Sequence, residues 1–162
     1  MTSIVTRPLA RYRSKTLATW IAVLGGSLGL HRFYLHGLRD VAAWLHPLPA
    51  LLGLYGIHRV QQLGLDDHLS WVLIPLLGLV VAQAMLAAIL YGLTPDEKWD
   101  ARYNPGKPAH ATRWAPVLGA ILALMLGAGV LMATIAFSGQ RYFEYQVDEA
   151  RKISQGGLRR TA

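Results

Sequence analysis

The chain has 162 residues, 53% hydrophobic and 15% charged, with a formal charge of +7 and a mean hydropathy of +0.31. Ordinary soluble domains carry roughly 25% charged residues, so this apolar, charge-poor composition points to a membrane protein of a few helices on short connections. The sequence contains no cysteine, which excludes disulfides, thiolate metal ligands and cysteine nucleophiles.

Residues 1–15 form a basic segment holding Arg7, Arg11, Arg13 and Lys15. An apolar run follows, as in a signal sequence, but no A-x-A-like cleavage site does, so the run is read as a retained helix. Its apolar part, Thr16 to Leu30, has only 15 residues. It spans only if His31 to Leu35 sits at the interface, with Arg32 snorkelling toward water.

Within that run, Gly25 to Gly29 spell G-x-S-x-G around Ser27. A hydrolase elbow needs a strand before the serine and a helix after it. The flanks, LATWIAVL and LHRFYL, supply neither. Gly25 and Gly29 are also G-x-x-x-G, which lets membrane helices approach closely. The same spacing recurs at Ala84, Ala88 and Gly92, and at Gly119, Ala123 and Gly127. These faces are expected to pack helices in a compact bundle or a homo-oligomer. A membrane hydrolase using Ser27 stays as a remote alternative.

Residues 41–57 are a second, short span kinked by Pro47 and Pro49, with a re-entrant hairpin as the alternative. Residues 69–93 contain no charge in 25 positions, and residues 114–137 none in 24. At ~1.5 Å per residue each crosses a ~30 Å hydrocarbon core with some tilt. Trp71, Tyr91 and Trp114 lie near their ends, where interfacial aromatics belong. Between them, in 94–113, Thr94-Pro95-Asp96-Glu97 matches a capping box with proline at the first helical position. A short helix is expected there as far as Tyr103, stopped by Asn104-Pro105-Gly106, with Trp99 and Tyr103 on the membrane surface.

In 138–162, Phe143, Val147, Ala150 and Ile153 share one helical face. Asp148 is expected to pair with Lys152, and Gly156-Gly157 to end this amphipathic helix before a basic tail. No strong internal repeat is evident. With four spans, ten lysines and arginines share the side of both termini and six lie on the other. The excess favours cytoplasmic termini in a bacterial inner membrane.

The candidate chemistry is sparse. Six histidines occur, and the best cluster is His58, Asp66, Asp67 and His68, without recognisable ligand spacing. No metal or cofactor is expected. The neutral pair His46 and Gln83, inside spans, leaves a small transporter or channel component as an alternative function. The basic residues are scattered over short loops and tails, where anionic headgroups attract them. A lipid bilayer is therefore the expected partner, and nucleic acid is not.

Arg13-Ser14-Lys15, the run with Gly25-Gly26 and Gly29, and His31-Arg32-Phe33-Tyr34-Leu35 resemble the TM-2 domain, two transmembrane helices joined by a short loop. Gly53, Tyr55 and Gly56 resemble the glycine-rich part of its second helix. The resemblance covers about residues 13–75; the hairpin region is taken as 16–75. His36 departs from the family's usual glycine, and Ile57-His58-Arg59-Val60 from the end of its second helix. The resemblance implies an integral membrane protein without established enzymatic activity or cofactor. In animal members the short loop is thought to face the cytosol. The expectation is therefore an all-α, polytopic bundle of four transmembrane helices plus an amphipathic C-terminal helix. Its role would be non-enzymatic, as a scaffold or interaction partner of another membrane protein. His31, Arg32, Phe33 and Tyr34 would provide an interfacial contact with lipid or partner. Arg32 would bind a lipid phosphate or cap the carbonyls that end the first helix.

Overall fold

The structure, a computed structural model, describes residues 12–160, with side chains as far as Ser154. Most of the basic segment 1–15, including Arg7 and Arg11, and the side chains of the basic tail lie outside the described residues. The described residues form helices only: α1 (Lys15–Gly25), a 3-10 turn (Gly26–Leu28), α2 (Leu30–His36), α3 (Val41–Leu45), α4 (Pro47–Leu63), α5 (His68–Leu93), α6 (Asp96–Tyr103) and α7 (Ala115–Arg160). Of these, α5 and α7 are each long and apolar enough to cross a membrane.

The frame is α5, with α7 antiparallel on one side and α4 antiparallel on the other. Close approach depends on glycine. A Cβ on Gly92 would stand 2.5 Å from the carbonyl oxygen of Pro116, one on Gly127 would stand 2.7 Å from Met85 Cβ, and one on Gly56 would meet Leu73. The core is made of small side chains: Ala22, Ala84, Ala88 and Ala123 are buried together with Met85. The large ones point outward, with Leu86, Leu90, Leu124, Met125 and Met132 all more than half exposed.

Residues 16–35 do not make one helix. Ser14 caps α1, which runs 11 residues, roughly 16 Å at the usual rise. The 3-10 turn interrupts it, and Gly29 (φ +73°) enters a conformation that L side chains rarely adopt. The chain then doubles back. The Ser14 amide donates to the Tyr34 hydroxyl at 2.8 Å, and Leu35 is buried against Ala18 and Trp99. The turn reaches only partway down α5, where a Cβ on Gly26 would stand 2.6 Å from Ala84 Cβ. Gly25 and Gly29 are thus not one packing face. Gly25 lies against Leu30 of its own hairpin, and Gly29 forms the turn itself.

Val41 to Leu63 follows a bent helical path. Pro47 and Pro49 cannot donate to the carbonyls of Ala43 and Leu45, which breaks the helical ladder. Gly29 fills the gap from outside: a Cβ there would fall 2.5 Å from the Ala43 oxygen.

Other expectations need correction. Thr94 forms no capping box; its hydroxyl turns back to the Leu90 carbonyl at 2.5 Å, and Pro95 precedes the helix. Trp99 does not lie on a surface: it is buried in a cluster with Ala18 and Leu35, and Tyr103 packs against that cluster. The last two helices are one, since α7 passes Ser138 and the Gly156-Gly157 pair without a break. Lys152 pairs with Glu149 at 3.1 Å rather than with Asp148.

The chain also contains an internal repeat. At an offset of 27 residues, Gly26, Gly29, His31, Arg32, Gly37, Leu38, Asp40 and Trp44 recur as Gly53, Gly56, His58, Arg59, Gly64, Leu65, Asp67 and Trp71. The structure repeats with the sequence. Gly37 (φ +81°) and Gly64 (φ +86°) occupy the same backbone region, and Asp40 and Asp67 cap the helices that follow. The packing register matches too: Gly29 meets His46 and Gly56 meets Leu73, positions again 27 apart. The α2–α3 corner lies at the end of the bundle shared with Lys15 and α6, here the upper end. The α4–α5 corner lies at the opposite, lower end, so the two units run in inverted senses.

Candidate functional site

The residues expected to carry function surround the upper corner. Gly29 starts α2 and sends its side chains in three directions. His31 points inward and is 3% exposed. Its ring stands 5.7 Å from that of His46 and 5.9 Å from that of Tyr91. His46 Nδ1 lies 2.6 Å from the Ala42 carbonyl, while His31 Nδ1 and His46 Nε2 are buried with no hydrogen-bond partner among the described residues.

Arg32 holds an acid rather than helix carbonyls. Its Nε and Nη2 donate to the two oxygens of Asp40 at 2.9 and 3.3 Å. That fork is why the Asp40 carboxyl is held below the usual carboxylate range, burial working against it. Asp40 also accepts the Ala42 amide at 3.1 Å, so one carboxylate both pairs with α2 and starts α3. His36 approaches the same carboxylate at 3.6 Å. Phe33 stands edge-on to Trp44 with ring centroids 5.0 Å apart, and the Trp44 indole donates to the Leu38 carbonyl at 3.0 Å. Tyr34 is taken up by the Ser14 amide.

The lower corner repeats the device. Arg59 donates to both oxygens of Asp67 at 2.8 and 2.7 Å, and Trp71 to the Leu65 carbonyl at 2.7 Å. The Asp67 carboxyl is held far below its usual range, first by Arg59 and then by Ser70.

A roof of polar contacts covers the upper end. Lys15 is buried, pairing with Asp96 and donating to the Thr94 carbonyl at 2.9 Å. The Trp99 indole and the Asn104 amide both donate to the Arg13 carbonyl, at 2.8 and 3.1 Å, and the Arg13 amide returns a bond to Asn104 at 2.8 Å. Tyr12 donates to Asp100 at 3.1 Å. Burial, and then that acid, push its hydroxyl up to about 12. Asp96 and Asp100 are both lowered; burial opposes this, but Lys15 and Thr112 outweigh it at Asp96, and Asn104 and the His110 amide at Asp100.

The other candidates fall elsewhere. Ala84, Ala88 and Ala123 are buried between helices, and Gly92, Gly119 and Gly127 face Ala120, Thr19 and Met85. Ser27 lies in the 3-10 turn between two helices, not between a strand and a helix. His58 stands beside Gln62 at 3.0 Å and His68 against Trp71 with ring centroids 4.4 Å apart. Among the described residues no three His, Asp or Glu side chains converge on a metal site. Gln83 and His46 do not meet: Gln83 lies on an outer face with Leu79 and Leu131, His46 beside His31.

The upper corner was partly visible in the sequence as His31 to Tyr34. Asp40, Trp99 and Asn104, which hold it, were not singled out for it. The matching Arg-x4-Gly-Leu-x-Asp-x3-Trp strings were the available signal. No family model, curated protein or solved structure matches the chain.

Proposed function

We propose that the chain is an integral membrane protein of the TM-2 type with a non-catalytic role, holding lipid or another membrane protein at its upper end. The observation that carries this reading is the inverted distribution of side-chain size. Alanine and glycine fill the interior, while leucine and methionine cover the outer faces of α5 and α7. In water such faces would be an extended apolar patch; in lipid they are the solvent-facing surface, and small residues bring the helices together.

The supported topology is three crossings rather than four. The bent α3–α4 path, α5 and α7 run the length of the bundle, and α1 with α2 is a re-entrant hairpin. A hairpin whose backbone is irregular at Gly26 to Gly29 is tolerated at membrane depth because it is covered by protein. Of the lysines and arginines with described side chains, eight then lie at the upper end and four at the lower, favouring a cytoplasmic upper end. The residue 12 region and the Gly37–Asp40 turn share that side, which also accommodates the cytosolic loop of the resembled family.

The native chain lacks cysteine, so single cysteines report topology directly. Tyr12→Cys, Leu38→Cys and Lys107→Cys should react with an impermeant maleimide from one side of the membrane, Leu65→Cys and Ser154→Cys from the other. Labelling of Tyr12→Cys and Leu38→Cys from opposite sides would restore four crossings. Release of the protein from membranes by alkaline carbonate would remove the membrane reading.

A further inference from the structure

A cleft of about 340 Å³ opens at the upper end between α2, the end of α5, and α6. We infer that it is a binding site for the phosphate headgroup of an anionic membrane lipid. The first ground is the distribution of spare charge. The nearby carboxylates are mostly engaged: Asp40 by Arg32, Asp96 by Lys15 and Thr112, Asp100 by Tyr12 and Asn104. Lys98 and Arg102 make no ion pair among the described residues. They lie one helical turn apart on α6, both exposed, and both line the cleft. Arg32 and His36 line it from α2.

The second ground is rigidity. The buried partner of this charged face is Trp99, the residue next to Lys98, anchored through the Arg13 carbonyl at 2.8 Å. The Arg102 guanidinium lies over the Tyr103 ring, 5.5 Å from its centroid, so the cations are presented from a fixed helix. The third ground is continuity with the apolar surface. Leu90 forms part of the cleft wall. It is 60% exposed, and Leu86, one turn further along α5, is 55% exposed. A headgroup in the cleft leaves its acyl chains against these leucines. At the lower end, a groove of about 740 Å³ mixes Asp66, Glu144 and Asp148 with Arg141 and Arg151, so its charges offset one another.

This inference rests on the membrane reading above, and carbonate extraction tests that reading separately. The site is tested with the full chain in phosphatidylcholine nanodiscs, with and without phosphatidylglycerol, by thermal stability and by lipid retained in native mass spectrometry. Phosphatidylglycerol should raise the melting temperature and be retained preferentially. At ~1 kcal/mol per basic residue, Lys98→Gln should weaken retention about fivefold, and Lys98→Gln with Arg102→Gln about 25-fold. Arg151→Gln with Lys152→Gln should leave it unchanged, and near-wild-type melting temperatures in pure phosphatidylcholine establish that the variants fold. Glycerol 1-phosphate should stabilise the protein little; stabilisation equal to that by the lipid would overturn the lipid assignment in favour of a soluble phosphate ester. Equal retention by wild type and the Lys98/Arg102 variant would overturn the site itself.

Discussion

The two corners share one skeleton and differ in what surrounds it. In each, an arginine forks onto an aspartate eight residues later, the aspartate caps the next helix, and a tryptophan closes the turn onto a leucine carbonyl. The lower corner adds little chemistry: its equivalents of Phe33, Tyr34, His36 and His46 are Val60, Gln61, Leu63 and Leu73. The upper corner has aromatics and histidines at those positions, a buried histidine where the lower one has an exposed His58, and α6 as a roof. What is common to both is the device that turns a helix pair. What is confined to the upper one is the setting of the proposed lipid site.

The roof is where the comparison breaks most easily. Trp99→Ala removes a side chain that is 2% exposed and should cost about 3–5 kcal/mol, read from the unfolding midpoint in detergent. Arg141→Ala, which uncovers Trp71 at the lower corner and also gives up Phe137 and Glu144, should cost less, about 2 kcal/mol. An equal loss for both would mean that α6 is no special cover. The equivalent glycines come next. Gly29→Ala adds a Cβ against a carbonyl oxygen at positive φ and should cost about 3 kcal/mol through strain and crowding together. Gly56→Ala, in regular helix against the Leu73 side chain, meets crowding alone, about 1–2 kcal/mol.

These same glycines show how far sequence reached. The apolar runs of α5 and α7 were legible because 25 and 24 uncharged positions leave little else to form. The hairpin was not, because Gly25 and Gly29 carry the spacing of a packing face, and only φ at Gly29 distinguishes a turn from a seam. Trp99 was misplaced because its Arg13 partner is remote in sequence, and an aromatic on a short amphipathic helix looks interfacial without it. Arg32 stands out in the sequence, but its partner Asp40 does not, since a pair eight residues apart crosses a turn whose geometry depends on Gly37. The repeat escaped notice because its identities lie in the turns, while the intervening helical residues differ.

The aspartates carry two roles that substitution can separate. Asparagine keeps the cap and loses the charge, whereas alanine loses both. Asp67→Ala should therefore lower the melting temperature more than Asp67→Asn, and Asp40→Ala more than Asp40→Asn. Exchanging the partners, Arg32→Asp with Asp40→Arg, should not restore stability, because an arginine cannot cap α3. Recovery in that exchange would show that the ion pair alone matters.

The smallest effect is that of pH, and it acts in two opposite senses. Asp40 and Asp67 are lowered relative to their unfolded values. Their stabilisation is complete above about pH 3.9, the unfolded value, and is lost as pH falls through the lower folded values. Acid should thus loosen both corners, and Asp67→Asn should flatten the part of the slope that belongs to the lower one. Tyr12 has the opposite sense, being raised to about 12. Its contribution is intact below about pH 10 and fades as pH rises toward the folded value. Melting curves between pH 9 and about 12 should fall for the wild type and less for Tyr12→Phe, which lacks the ionisable hydroxyl. Parallel curves for the two proteins would show that the Tyr12–Asp100 contact does not hold the roof.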